Sequence, residues 1–168
     1  MKNKSQNIAF FGICTALAMI LAYVELLLQP LFPSLPGIKM GLANIIVVFL
    51  LYKRGAISAI AVSFVRIVLI SMLFGNTMSL IYSLAGGILS VTIMILLKHL
   101  NIFSAVGVSV AGAVSHNIGQ ILTAVLILNT IELGYYLVVL TVTGTISGII
   151  IGLCGSILVK KVPNKFLY

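Results

Sequence analysis

Residues 38–74 read IKMGLANIIVVFLLY, then KRG, then AISAIAVSFVRIVLISMLF. Two apolar runs flank a charged stop, Lys53-Arg54-Gly55. A lipid core about 30 Å thick takes roughly 20 apolar residues per helix, so each run reads as a membrane span and the basic stop as the point where the chain leaves the bilayer. The first run is short for a span. It either borrows flanking residues or begins as a re-entrant turn at Gly41. Backbone groups in lipid have to bond within their own segment, and no ten-residue alternating pattern speaks for a barrel, so the runs are helices.

Working outward from this pair with the same punctuation gives six segments: about 8–28, 38–52, 56–74, 77–97, 102–128 and 133–159. The stops are the prolines at 30, 33 and 36, then Lys53-Arg54-Gly55, Gly75-Asn76, Lys98-His99, and finally Lys160-Lys161. The expected fold is an all-α integral membrane protein, one transmembrane domain of six helices over residues 1–168. Charge sets its orientation. With the N-terminus inside, the inner segments carry Lys2, Lys4, Lys53, Arg54, Lys98, Lys160, Lys161 and Lys165, eight of the ten basic residues. The outer loops carry only Lys39, and Arg66 falls within a helix. That asymmetry places both termini in the cytoplasm, with the chain in the cell membrane, read as a bacterial cytoplasmic membrane. Lys2 and Lys4 before an apolar run also fit a signal peptide, but the run continues to Leu28, too long for one, and is read as a span.

Composition removes whole classes of function. Hydrophobic residues make up 61% of the 168 and charged residues 7%, so a water-facing surface is missing. The net charge of +8 is scattered among apolar runs and forms no continuous basic face, so nucleic acid is not expected as a partner. Glu25 and Glu132 are the only acidic residues, and Asp is absent. Paired glycosidase acids, a triad Asp and an Asp-rich magnesium site are thereby excluded. There is no phosphate loop of the G-x-x-x-x-G-K-[ST] type and no Cys/His cluster with metal-ligand spacing, so the chain is expected neither to hydrolyse ATP nor to bind a metal. An intramembrane enzyme would have only His116 with Ser115 or Ser109, poorly oriented neighbours, and no catalytic residue is assigned.

What remains is a set of polar residues inside the apolar runs. A charged group at mid-membrane costs about 2.5–3.5 kcal/mol on insertion scales and is a functional suspect. Arg66 lies roughly 16 Å from the inner end of its helix at 1.5 Å per residue. His116 and Gln120, four apart, share a helix face, with Asn117 beside them. Asn44 is expected about one and a half turns into the second helix. Glu25, Lys39, Asn76 and Tyr82 lie near the outer ends of their segments. All fall in the middle or outer half of the membrane. Polar groups from several helices at one depth make either an outward-facing cavity or a buried network that fixes helix register. Arg66 and Lys39 would favour a small anionic ligand, and Glu25 would offset part of that bias. The proline-stiffened segment 29–37 is either a lid or a connector. Small residues form a stripe at Gly144, Gly148 and Gly152 and a softer one at Ala18 and Ala22. These serve either packing within the bundle or docking of a partner.

Several motifs in these segments are shared with a known family. Lys39-Met40-Gly41-Leu42-Ala43-Asn44-Ile45, Leu73-Phe74-Gly75-Asn76, Ser83-Leu84-Ala85-Gly86-Gly87 and the long Gly107–Gln120 motif ending Ser115-His116-Asn117-Ile118-Gly119-Gln120 resemble the family called heptaprenyl diphosphate synthase component I, or Gx transporter family. The resemblance covers about residues 8–160. It is similar in turn to the substrate-binding S components of energy-coupling factor transporters. It implies a six-helix S-component-like bundle with a vitamin-like or small anionic ligand taken from outside, no covalently bound cofactor, and a separate membrane scaffold with ATPases as partner. It also implies docking through Ala18 and Ala22. Some relatives are thought to accompany flavin-linked extracellular electron transfer. A synthase activity does not fit a chain without Asp, so the alternative role is a non-catalytic accessory or assembly subunit of a prenyl diphosphate synthase or of such a redox system.

Overall fold

The computed structural model describes residues 2–28 and 41–163, and every regular element among them is helical. Six helices follow one another: α1 (Lys2–Leu28), α2 (Asn44–Lys53), α3 (Ala56–Phe74), α4 (Thr77–Leu100), α5 (Ala105–Leu128) and α6 (Tyr136–Lys161), with a 3₁₀ turn, Ile131–Tyr135, leading into α6. Lys39, residue 38 and the segment 29–37 lie outside the described residues. Five helices are long and apolar enough to cross a membrane; α2 has only ten residues, about 15 Å.

The ends of the helices follow from local chemistry. The Asn76 side chain caps α4 by accepting from the Ser79 N–H at 2.8 Å, and Ser104 caps α5 through the Gly107 N–H at 3.2 Å. Asn101 and Asn129 close α4 and α5 in the left-handed conformation (φ 54° and 50°). Gly41 at φ +72° ends any helical path upstream of α2, which is why Asn44 is the first residue of α2 and not one and a half turns into a helix, as its place in the apolar run led one to expect. α1 starts six residues before the expected apolar segment, because a helix continues through Lys4 and Asn7 beyond the lipid-matched run.

α2 is the centre of the packing. Ile46 through Leu51 are all buried, six consecutive residues, which only a helix covered on every side achieves. It touches α1, α3, α5 and α6. The long helices neighbour one another in the order α1, α3, α4, α5, α6, an arc around α2. Their outer faces are apolar, with Ile57 and Leu126 more than three-quarters exposed.

Both ends of α2 are met by charges of the sign its dipole favours. At the N-terminal end the Glu25 carboxylate of α1 accepts from the Gly41 N–H at 2.6 Å and from the Leu42 N–H at 3.2 Å. At the C-terminal end the Lys98 ammonium of α4 donates to the Leu51 carbonyl and sits 5.3 Å from the centre of the Tyr52 ring. Next to it, Arg54 donates to Asn7 Oδ1 at 2.6 Å and lies over the rings of Phe10 and Phe11, tying the start of α1 to the end of α2. Lys4, Lys53, Arg54, Lys98, Lys160 and Lys161 all fall at this one end of the bundle, where α1 and α3 start and α2, α4 and α6 finish.

Candidate functional site

At the opposite end, α2 is too short to fill the bundle, and a cavity of about 710 Å³, counted out to its open mouth, occupies the space beyond its first residue. α1 contributes Ala22, Glu25 and Leu26, neighbours on one helical face. α3 contributes Arg66, Ile70 and Phe74 at four-residue spacing, with Ile67 and Ser71 beside them. Gly41, Asn44, Ser79, Ser83 and His116 complete most of the lining from the turn before α2, from α2, α4 and α5.

Arg66 is the centre of the polar floor. It is 8% exposed, and its Nη2 lies 3.5 Å from Asn44 Oδ1, at the long limit for a hydrogen bond. Its Nε has no hydrogen-bond partner among the described residues. Glu25, equally buried, bears on Arg66 electrostatically while its oxygens hold the Gly41 and Leu42 amides. His116 reaches the cavity from α5 because Gly86 of α4 leaves room for it: a Cβ on Gly86 would lie 2.7 Å from the His116 carbonyl oxygen and 3.1 Å from its Cε1.

Of the residues singled out in the sequence, Glu25, Asn44, Arg66 and His116 thus share one cavity. The others are placed elsewhere. Asn117, one position and about 100° around from His116, donates to the Leu140 carbonyl at 2.7 Å and belongs to the α5–α6 contact. Gln120 packs its Cγ against Gly86 at the α4–α5 contact. Asn76 is exposed and caps its own helix, and Tyr82 is half-buried on α4 away from the lining. Lys39 lies outside the described residues. The serines Ser71, Ser79 and Ser83 were not singled out by sequence reasoning. A serine in an apolar helix ordinarily bonds back to its own backbone, so its type alone carried no signal.

Of the two readings of the α6 stripe, the contacts show packing within the bundle. A Cβ on Gly148 or Gly152 would lie 2.7 Å from the Cα of Val110 or Val106, and one on Gly144 would lie 2.7 Å from Asn117 Nδ2. The Gly144, Gly148, Gly152 stripe is therefore taken up by α5. Ala18 is fully buried, and the half-buried Ala22 lines the cavity. The exposed face of α1 is made of Ile13, Leu17, Ile20, Val24 and Leu27 instead.

A family model described as heptaprenyl diphosphate synthase component I matches residues 14–158, all of the bundle from the second half of α1 to the last turn of α6. The chain belongs to the heptaprenyl diphosphate synthase component I family. A search of curated proteins finds no match, and neither does one of solved structures. The family match takes in Glu25, Asn44, Arg66 and His116, so the cavity lies wholly within the part of the chain that defines this family.

Proposed function

We propose that this family member is the small-molecule binding and translocation subunit of a membrane transport system, a six-span protein similar to an S component of an energy-coupling factor transporter. α2 belongs to the second span, both termini are cytoplasmic, and the cavity opens to the outside. The uneven placement of lysine and arginine at the far end supports this orientation. The observation that carries the reading is Arg66: a buried guanidinium lining a cavity, with one N–H unsatisfied among the described residues and Asn44, Glu25 and His116 around it. An unmet buried donor costs about 1–3 kcal/mol, and an acceptor brought by a ligand removes that cost. Energy comes from a separate scaffold and its ATPases, because the chain has no nucleotide-binding loop. The bound molecule is released when the bundle rocks against that scaffold.

The test is to purify the protein in detergent and identify co-purifying small molecules by mass spectrometry, in wild type, Arg66→Ala and His116→Ala. A molecule retained by the wild type and lost from both variants supports the carrier. An empty wild type that instead brings down a prenyl synthase or redox subunit supports a second reading, a non-catalytic accessory. The family's description as one component of a synthase favours that second reading, as does a sequence with no Asp to hold a magnesium diphosphate.

A further inference from the structure

The order of groups along the cavity wall narrows the class of molecule that fits it, granted the binding role just proposed. Arg66, Ile70 and Phe74 follow one another up one face of α3, about 6 Å apart, and Ala22 and Leu26 do the same on α1. The floor at Arg66 is therefore charged, and the side above it between α1 and α3 is apolar except for Glu25, next to Leu26, and Ser71, next to Ile70. On the floor, the Nε of Arg66 has no hydrogen-bond partner among the described residues, and Nη2 is only loosely engaged by Asn44. Nε and an adjacent Nη on one edge of a guanidinium match the two oxygens of a carboxylate. The α1 side of the cavity already holds the Glu25 carboxylate, fixed by the amides of Gly41 and Leu42 and close enough to act on Arg66. A ligand with a second negative charge would be set against it.

We infer that the cavity takes a singly charged amphipathic anion, its carboxylate seated on Arg66 and its apolar ring or chain lying between α1 and α3 along Leu26, Ile70 and Phe74. The distinction from a bare anion is the apolar wall, and the distinction from a phosphate ester is Glu25.

The experiment is calorimetric titration of wild-type protein in lipid nanodiscs with four probes: 2-naphthoate, the uncharged 2-naphthamide, 2-naphthyl phosphate as the dianion at pH 8, and inorganic phosphate. Saturable binding of naphthoate is expected, with the amide and the phosphate ester each about tenfold weaker or more, and no binding of inorganic phosphate. Arg66→Gln should bring naphthoate down to the level of the amide. Phe74→Ala should weaken acid and amide alike. Equal binding of acid and amide by the wild type overturns the charged seat. Tighter binding of the phosphate ester than of naphthoate overturns the single charge, and binding of inorganic phosphate overturns the apolar wall. If no probe binds while a co-purified molecule is still lost on Arg66→Ala, the ligand class is wrong and the binding role stands. If no probe binds and nothing co-purifies, both fall.

Discussion

Glu25 and Arg66 lie in one cavity wall, yet their surroundings serve them differently. The carboxylate holds two backbone N–H groups, whereas one guanidinium N–H has no acceptor among the described residues. Glu25→Gln keeps one acceptor oxygen but turns an NH₂ toward the second amide and removes the charge at the start of α2. A loss of about 1–3 kcal/mol is expected, read as a lower unfolding midpoint of the detergent-solubilised protein. An unchanged midpoint would show that the Gly41 and Leu42 amides do not depend on it. Asn117→Ala removes a single buried bond to Leu140, so it should cost about 1 kcal/mol and leave any co-purifying molecule in place. The two substitutions separate a cavity residue from a packing residue, a distinction the sequence could not make. It placed Arg66 at mid-membrane by counting from Lys53-Arg54, and that depth needed no neighbours. His116 and Asn117 stand side by side in the chain, and which of them faces the cavity depends on the rotation of α5 against α4 and α6, which neither hydropathy nor spacing encodes.

Among the elements, charged and glycine stops in the sequence set the limits of α3 and the start of α4, since a basic or turn-forming residue ends both the apolar run and the helix. α2 was less legible. Its apolar run continues upstream through Leu42 and Ala43, and only the left-handed backbone at Gly41 shows that the helix has not yet begun there. The stripe on α6 was legible as a close-packing face but not for which partner. Its fit to α5 gives a sharp expectation: Gly148→Leu drives a side chain into the Val110 backbone and should abolish monodisperse protein on size-exclusion chromatography. Gly12→Leu, where nothing lies within 4 Å, should elute like wild type. Comparable elution of the two variants would mean that α5 and α6 do not pack as described.

For the molecule as a whole, the proposed even number of crossings is open to direct measurement. In a background lacking Cys14 and Cys154, single cysteines at Lys4→Cys and Lys161→Cys should react with a membrane-impermeant maleimide only after cells are permeabilised. Thr130→Cys, in the link between α5 and the 3₁₀ turn, should react in intact cells. Labelling of Lys4→Cys and Lys161→Cys on opposite sides would reduce the crossings to an odd number and turn the cavity toward a different compartment. The central helix carries a further implication for how the chain is made. Ten residues are too few to hold a place in the bilayer unaided, and the lysine that closes the far end of α2 arrives 45 residues after Lys53. During synthesis, the Leu51 carbonyl near the end of α2 must wait for α4 before Lys98 can reach it. The core of this protein is thus completed from its periphery, and a chain arrested after α3 would present quality-control proteases with its most buried helix not yet covered by α5 and α6.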